Sequence, residues 1–369
     1  LPPECKYFSL INYVFSSAVK PGKTYGERSF FQYGSAEAGA YHPVFASLGE
    51  PVNMNNIRYA GGETCFGSEF AYIASGNQDT AEAIRAALIE AGYDENMINI
   101  APFYADTLRM GLEKGADVFS ILMRTSQPAD EAAFDQWLAS LSETMRVYRV
   151  TPKAETPENA YTYPTLTPRG TGVHEVQTLP EADKALDSIR QKLIAQYAEE
   201  YDYEELTARI AVPEGMTGYL NDENAQGDNR DTSYLMTNDF TLNSDEDFVV
   251  IYGVNHVATG KATYANTVLY ARPMLNGIVS LYDSMYANSA DAYLEGGDSY
   301  YVLKLARTAG DEFTATIPYS TDNANGRFYG ADNETQLFLA YRAYVEPETG
   351  VGPSYYEIVY DRAIVFHKK

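Results

Sequence analysis

From Arg209 to the C-terminus, short β-branched and aromatic runs alternate with Gly, Asn, Asp and Pro. The runs are FVVIYG, NTVLYA, YYVLKLA, FTATIP, QLFLAYRAYV and YEIVYDRAIVF. Each is too short for a globular helix and rich in strand formers. Such punctuation predicts a β-rich, sandwich-like domain. There is no short-period repeat, which argues against a solenoid or propeller.

The first half has a different grammar. SEFAYIAS (68–75) reads as a strand, and Ala83, Ile84, Ala87 and Leu88 then recur at helical spacing until Gly92. INIAPF (98–103) returns as a strand. DVFSILMR (117–124), a helix opened by Pro128 and carrying Phe134, Trp137, Leu138 and Leu141, and MRVYRV (145–150) repeat that order. These segments predict an N-terminal α/β layer of two strand–helix–strand units. A short helix is expected near 107–114 between them.

Residues 151–180 hold Pro and Thr with little apolar periodicity, and read as a linker. A helix follows from Pro180 to about Tyr201, with Leu186, Ile189, Leu193, Ile194 and Tyr197 on one face. The expected class is α+β: an α/β domain over 1–150, a linker over 151–180, and a helix plus β-rich domain over 181–369.

The chain has 369 residues, 45% of them hydrophobic, enough for two ordinary cores. No apolar run approaches the roughly 18 residues of a membrane-spanning helix. The net charge of −24 repels nucleic acid and anionic membranes. Tyr is abundant, at 32 residues against 16 Phe and one Trp. Its ring packs while its hydroxyl stays hydrated, which suits exported proteins and carbohydrate binders, and equally Tyr-rich β-sheets that bind nothing. Cys5 and Cys65 form an isolated even pair, and an oxidising compartment would join them across about 60 residues, for roughly 4 kcal/mol.

No phosphate-binding glycine loop, nucleophile elbow or paired-histidine metal motif is present. Gly260-Lys261 reads as a hairpin turn. Calcium is the candidate cation. Asp222 and Asn224, with Gln226 and Gly227, imitate the start of a calcium loop, but the twelfth position is Ser233 rather than Glu. Asn323, Asn325 and Asp332 form a second partial match, with Thr321 where Asp is needed. Neither match is good, and polar turns rich in φ > 0 formers account for both loops better.

The segment from Gly227 to Tyr264 collects chemistry around an apolar strand. Arg230 and Asp231 precede it, Asn255 and His256 end it, and Lys261 and Tyr264 follow. A scaffold commonly presents a site at such a strand end. GDNRDTSYL, VIYGVNHVATGKATY and RAYVEPETGVGPSYYEIVYDRAIVF resemble a family of bacterial exported proteins of uncharacterised activity. LPPECKYFSLINYVFS and RAALIEAGY are similar to that family too. The resemblance implies an envelope location reached by a leader or lipoprotein anchor. It brings no activity, cofactor or catalytic residue. The N-terminus has neither the basic start nor the apolar core of a signal peptide, so either the chain is cytosolic or a leader was removed before residue 1; the resemblance implies the second, an extracytoplasmic protein.

The leading expectation is a secreted or envelope binding protein for a small polar ligand or glycan, through Arg230, Asp231, Asn255, His256, Lys261 and Tyr264. One rival is an extracellular hydrolase with His256 as base, oriented by Asp231. Another is a structural envelope protein without a small-molecule site.

Overall fold

The computed structural model describes residues 1–25, 40–323 and 326–369. The fold is α+β, with helices few and strands many. The described chain divides into two compact units, one of residues 1–25, 40–166 and 213–230, the other of 167–212 and 231–369.

The first unit is organised by β1 (Cys5–Ala18). This strand is buried on both faces, so its sequence shows no two-residue alternation. β2 (Tyr41–Ser47) and β3 (Val52–Asn53) pair with it antiparallel. β4 (Ala71–Ser75), α1 (Gln78–Glu90) and β5 (Ile98–Pro102) form one strand–helix–strand unit with parallel strands, as expected. The cap of α1 is Asn77, whose side chain accepts from the Thr80 N–H at 2.8 Å.

The second expected unit is not formed. β6 (Val118–Pro128) pairs antiparallel along the length of β1 rather than joining a parallel layer. α2 (Glu131–Thr144) begins at the Asp130 cap, but 145–150 carries no strand, and 107–114 is turns rather than helix. MRVYRV carries strand formers, yet among the described residues no neighbouring strand takes up its backbone hydrogen bonds.

In the second unit, α3 (Glu175–Thr178) and α4 (Ala182–Tyr197) lead into β7 (Tyr201–Leu206) and β8 (Ala208–Ile210). The chain passes through the first unit as α5 (Gly215–Asn221) and then enters β9 (Thr232–Thr237). β10 (Phe248–Val254), β11 (Tyr264–Ala271), β12 (Asn276–Tyr282), β13 (Tyr300–Ala306) and β14 (Thr314–Thr316) follow. A ribbon of β15 (Thr321–Asn323) and β16 (Gly326–Phe328) precedes β17 (Leu337–Tyr344) and β18 (Arg362–Lys368).

Two five-stranded sheets result, ordered β14-β13-β10-β18-β7 and β12-β11-β17-β9-β8. Val249, Ile251, Leu303 and Val365 of the first share one buried cluster with Leu235, Leu269, Leu339 and Tyr341 of the second. The alternate residues Phe248, Val250, Val302, Ile364 and Phe366 pack against Leu186, Ile189 and Leu193 of α4. Those three α4 side chains are fully buried, each stabilising by roughly 1.5–3 kcal/mol.

Candidate functional site

Four strand ends of the second unit meet in a sealed cluster of charges. β10 ends at Val254, and its continuation turns on Asn255, whose Oδ1 accepts the Val257 and Ala258 N–H groups at 3.1 and 3.3 Å. The next residue, His256, is 4% exposed. Its Nδ1 donates to Glu175 Oε1 at 2.7 Å, and its Nε2 lies 3.7 Å from Asp361 Oδ2. Asp361, just before β18, also accepts the Tyr301 hydroxyl at 2.5 Å. Gly253 makes room for that carboxylate, since a Cβ there would lie 2.6 Å from Asp361 Oδ1.

Burial alone would lower the His256 pKa, but the Glu175 and Asp361 carboxylates outweigh it and raise it to about 10. The imidazole is therefore a cation at neutral pH. Burial pushes Glu175 up, yet the His256 charge and the donors His256, Thr259 and Val359 N–H hold it below its ordinary value.

Lys261, before β11, is 5% exposed. Its Nζ lies 2.7 Å from Glu346 and 2.6 Å from Glu357, and donates to Thr171 Oγ1 at 3.3 Å. Glu357 also accepts the Thr171 and Gly172 N–H groups at 3.0 and 2.8 Å. The backbone N–H of Glu175 donates to the Glu357 carbonyl at 2.8 Å. Residues 171–175 are thus strapped across the strand ends by carboxylates. Glu346, Glu357 and Asp361 all lie in the C-terminal segment quoted above, so their chemistry was visible while their partners were not.

The remaining expected site residues are placed differently. Arg230 belongs to the first unit and pairs with Glu214. Asp231 is fully buried; its carbonyl accepts the Val345 N–H at 2.7 Å and its Oδ1 accepts from Thr232 at 3.1 Å. The carboxylate that orients His256 is Glu175, not Asp231 as expected. Tyr264 is fully buried, its ring tilted against that of Tyr344 with centroids 4.9 Å apart, and its hydroxyl accepts from Asn266 at 2.8 Å. A ligand in bulk solvent therefore has no open approach to His256, Lys261 or Tyr264.

The expected cation loops are also differently engaged. Asp222, the left-handed cap of α5, is held by Lys20 at 2.6 Å and Lys23 at 2.5 Å. Asn224 Oδ1 accepts the Gln226 N–H at 2.7 Å, a local turn. Asp332 accepts the Ser320 N–H at 3.1 Å. Asn325 and the side chain of Asn323 lie outside the described residues. Among the described residues no group of three or more His, Cys, Asp or Glu is arranged to hold a metal. Cys5 and Cys65 are free thiols buried in one apolar cluster with Phe8, Leu10 and Ile57, so the expected disulfide is not formed. Burial raises both thiols, Cys5 to about 11.

An open concavity lies elsewhere in the second unit. A groove of about 270 Å³ runs between the C-terminal end of α4, residues 288–293 and residues 311–314. Val250 and Val302 form part of its floor, and Tyr197 and Tyr293 stand in its lining. Lys304 projects from β13 into it. Its Nζ rests 3.7 Å from the Phe248 ring centre and 5.6 Å from that of Tyr197. Among the described residues no carboxylate pairs with it, and burial lowers its pKa against the opposing charge of Asp311. Lys192 Nζ donates to the Tyr293 carbonyl at 2.7 Å, and the Tyr293 hydroxyl donates to Gln196 at 3.2 Å, which fixes the groove wall to α4. Asp311 Oδ1 accepts from Thr314 at 2.8 Å, so the opposite wall is also held. The sequence signal for this groove was the lone cation in YYVLKLA, an apolar run otherwise read only as a strand.

No helix among the described residues is long and apolar enough to cross a membrane. No family model matches the chain. No curated protein matches it either. Among solved structures, the crystal structure of the VPA0106 protein from Vibrio parahaemolyticus is similar, with a TM-score of 0.39 and 10% identity, covering 98% of this chain and 83% of that one. A likeness of that degree supports no statement about function.

Proposed function

We propose that this chain is an extracytoplasmic binding protein for a small polar ligand, which it holds in the groove around Lys304. In this reading the two five-stranded sheets form a β-sandwich, α4 covers one sheet, and the groove opens beside that helix. The observation that carries the reading is the state of Lys304: a half-buried ammonium seated on aromatic rings, without an ion-pair partner among the described residues, inside a concave site. A desolvated cation with unused donors is costly unless something accepts from it. Apolar floor plus a few convergent polar groups is the usual make-up of a small-molecule site. The abundant Tyr supports an exported protein. The His256 and Lys261 cluster serves as the clamp that holds the strand ends, since its charges are sealed and paired with one another, with only His256 Nε2 and Glu346 Oε2 lacking a hydrogen-bond partner among the described residues.

The test is a thermal-shift panel of neutral sugars, amino acids, polyamines and organic acids on the intact chain. Stabilisation by at least one class, lost in Lys304→Met, supports the reading. Stabilisation that persists in Lys304→Met, or none from any class, counts against it.

A further inference from the structure

We propose that the ligand class of the Lys304 groove is a neutral saccharide, bound one ring at a time. This deepens the binding-protein reading and rests on it. Three features of the groove select the class. The first is size: about 270 Å³ lies just below the range of drug-sized pockets and suits one sugar ring with part of a second. The second is charge. Lys304 brings one ammonium to the groove, while Asp291 and Asp311 bring two carboxylates. A free anion would meet two like charges there, on a chain of net charge −24. A purely apolar ligand would strip water from all three charged groups with no return.

The third feature is the arrangement of donors and acceptors. Lys304 offers ammonium N–H donors and makes no ion pair among the described residues. Asp311 spends Oδ1 on Thr314 and the Phe313 N–H, which leaves Oδ2 to accept. Asn288, exposed on the same rim, can both donate and accept. Each sugar hydroxyl also both donates and accepts, so adjacent hydroxyls on one ring match an ammonium beside a carboxylate. The C–H face of the ring matches the apolar floor and the Tyr293 side chain. The strap from Lys192 to the Tyr293 carbonyl holds this wall in place before a ligand arrives, which lowers the entropy lost on binding.

The experiment is calorimetric and protein-observed NMR titration of the intact chain. The probes are glucose, galactose, mannose and N-acetylglucosamine, with glycine, lysine and inorganic phosphate titrated in parallel. The expected result is saturable binding of at least one sugar, weakened roughly tenfold or more by Lys304→Met and by Asp311→Asn. Both variants should keep the wild-type melting temperature within a few degrees, and Asp311→Asn retains an oxygen for Thr314. Binding of glycine, lysine or phosphate in the groove with no sugar bound would overturn the saccharide assignment while sparing the small-ligand reading. Absence of binding by all seven probes overturns the saccharide assignment, and the thermal-shift panel then decides the broader one. Sugar binding that is unchanged in both variants would place the sugar elsewhere and also overturn the proposal.

Discussion

His256 Nδ1 lies 2.7 Å from Glu175 Oε1, and both side chains are almost completely withdrawn from water. The pair joins the end of β10 to the N-terminus of α3, 81 residues apart in sequence. An ion pair so placed acts as a fastening, and removing one partner strands the other in a low-dielectric interior.

Glu175→Gln should therefore cost about 3 kcal/mol of stability, because it leaves the buried imidazolium with only the more distant Asp361 carboxylate, at 3.7 Å, as counter-charge. Urea unfolding followed by circular dichroism measures this. A loss below about 0.5 kcal/mol would mean that the cluster is hydrated and weak.

The same pair sets a pH dependence. The folded-state pKa of His256 is about 10, above its ordinary 6.5. The stability it contributes is fully present below 6.5 and is lost as pH rises through about 10. Melting temperature should fall between neutral pH and pH 10 more steeply in the wild type than in His256→Gln. Parallel profiles would remove His256 as the source.

At the acid end, Asp247 makes the matching contribution. Burial raises its pKa, but donors from Ser244, His367, Lys368 N–H and Asn243 N–H overcome this and bring it to about 2, below its ordinary 3.8. Its contribution is present above 3.8 and lost as pH falls through about 2. Asp247→Asn should flatten the acid limb of the stability profile and leave the alkaline limb unchanged.

Gly215→Ala tests a close approach in the first unit. A Cβ at that position would sit 2.2 Å from the Ser47 carbonyl oxygen, and the Gly215 N–H donates to Asp228 at 2.8 Å. The backbone must shift and weaken that bond, so a loss of about 1–3 kcal/mol is expected in chemical unfolding. An unchanged midpoint would contradict the packing of α5 on β2.

The cysteines give a direct chemical count. Native protein should react slowly with a thiol reagent, because both groups are buried and their pKa values raised. Unfolding without reductant should release two thiols. Release of none would show that the pair is oxidised after all.

Much of the second unit was legible because its signals are local. The apolar face of α4 and the continuous run of β10 declare themselves by period and composition. The long strand β1 did not, because burial on both faces erases alternation. The pairing of β6 with β1 was hidden for another reason: register and partner are long-range choices that no single segment encodes. The site followed the same rule. His256 at the end of β10 was visible, whereas Glu175, its partner, is an unremarkable acid in a Gly-rich stretch. Lys304 was overlooked because one cation in an apolar strand reads as an edge residue until the rings beneath it are seen.

Hydrogen–deuterium exchange with and without a stabilising compound tests most directly whether the groove, and not the sealed cluster, is where this protein binds. Slowed exchange confined to residues 288–294 and 302–314, with residues 171–175 and 255–261 unchanged, is the predicted result. Slowed exchange at 171–175 and 255–261, with the groove unaffected, would contradict it.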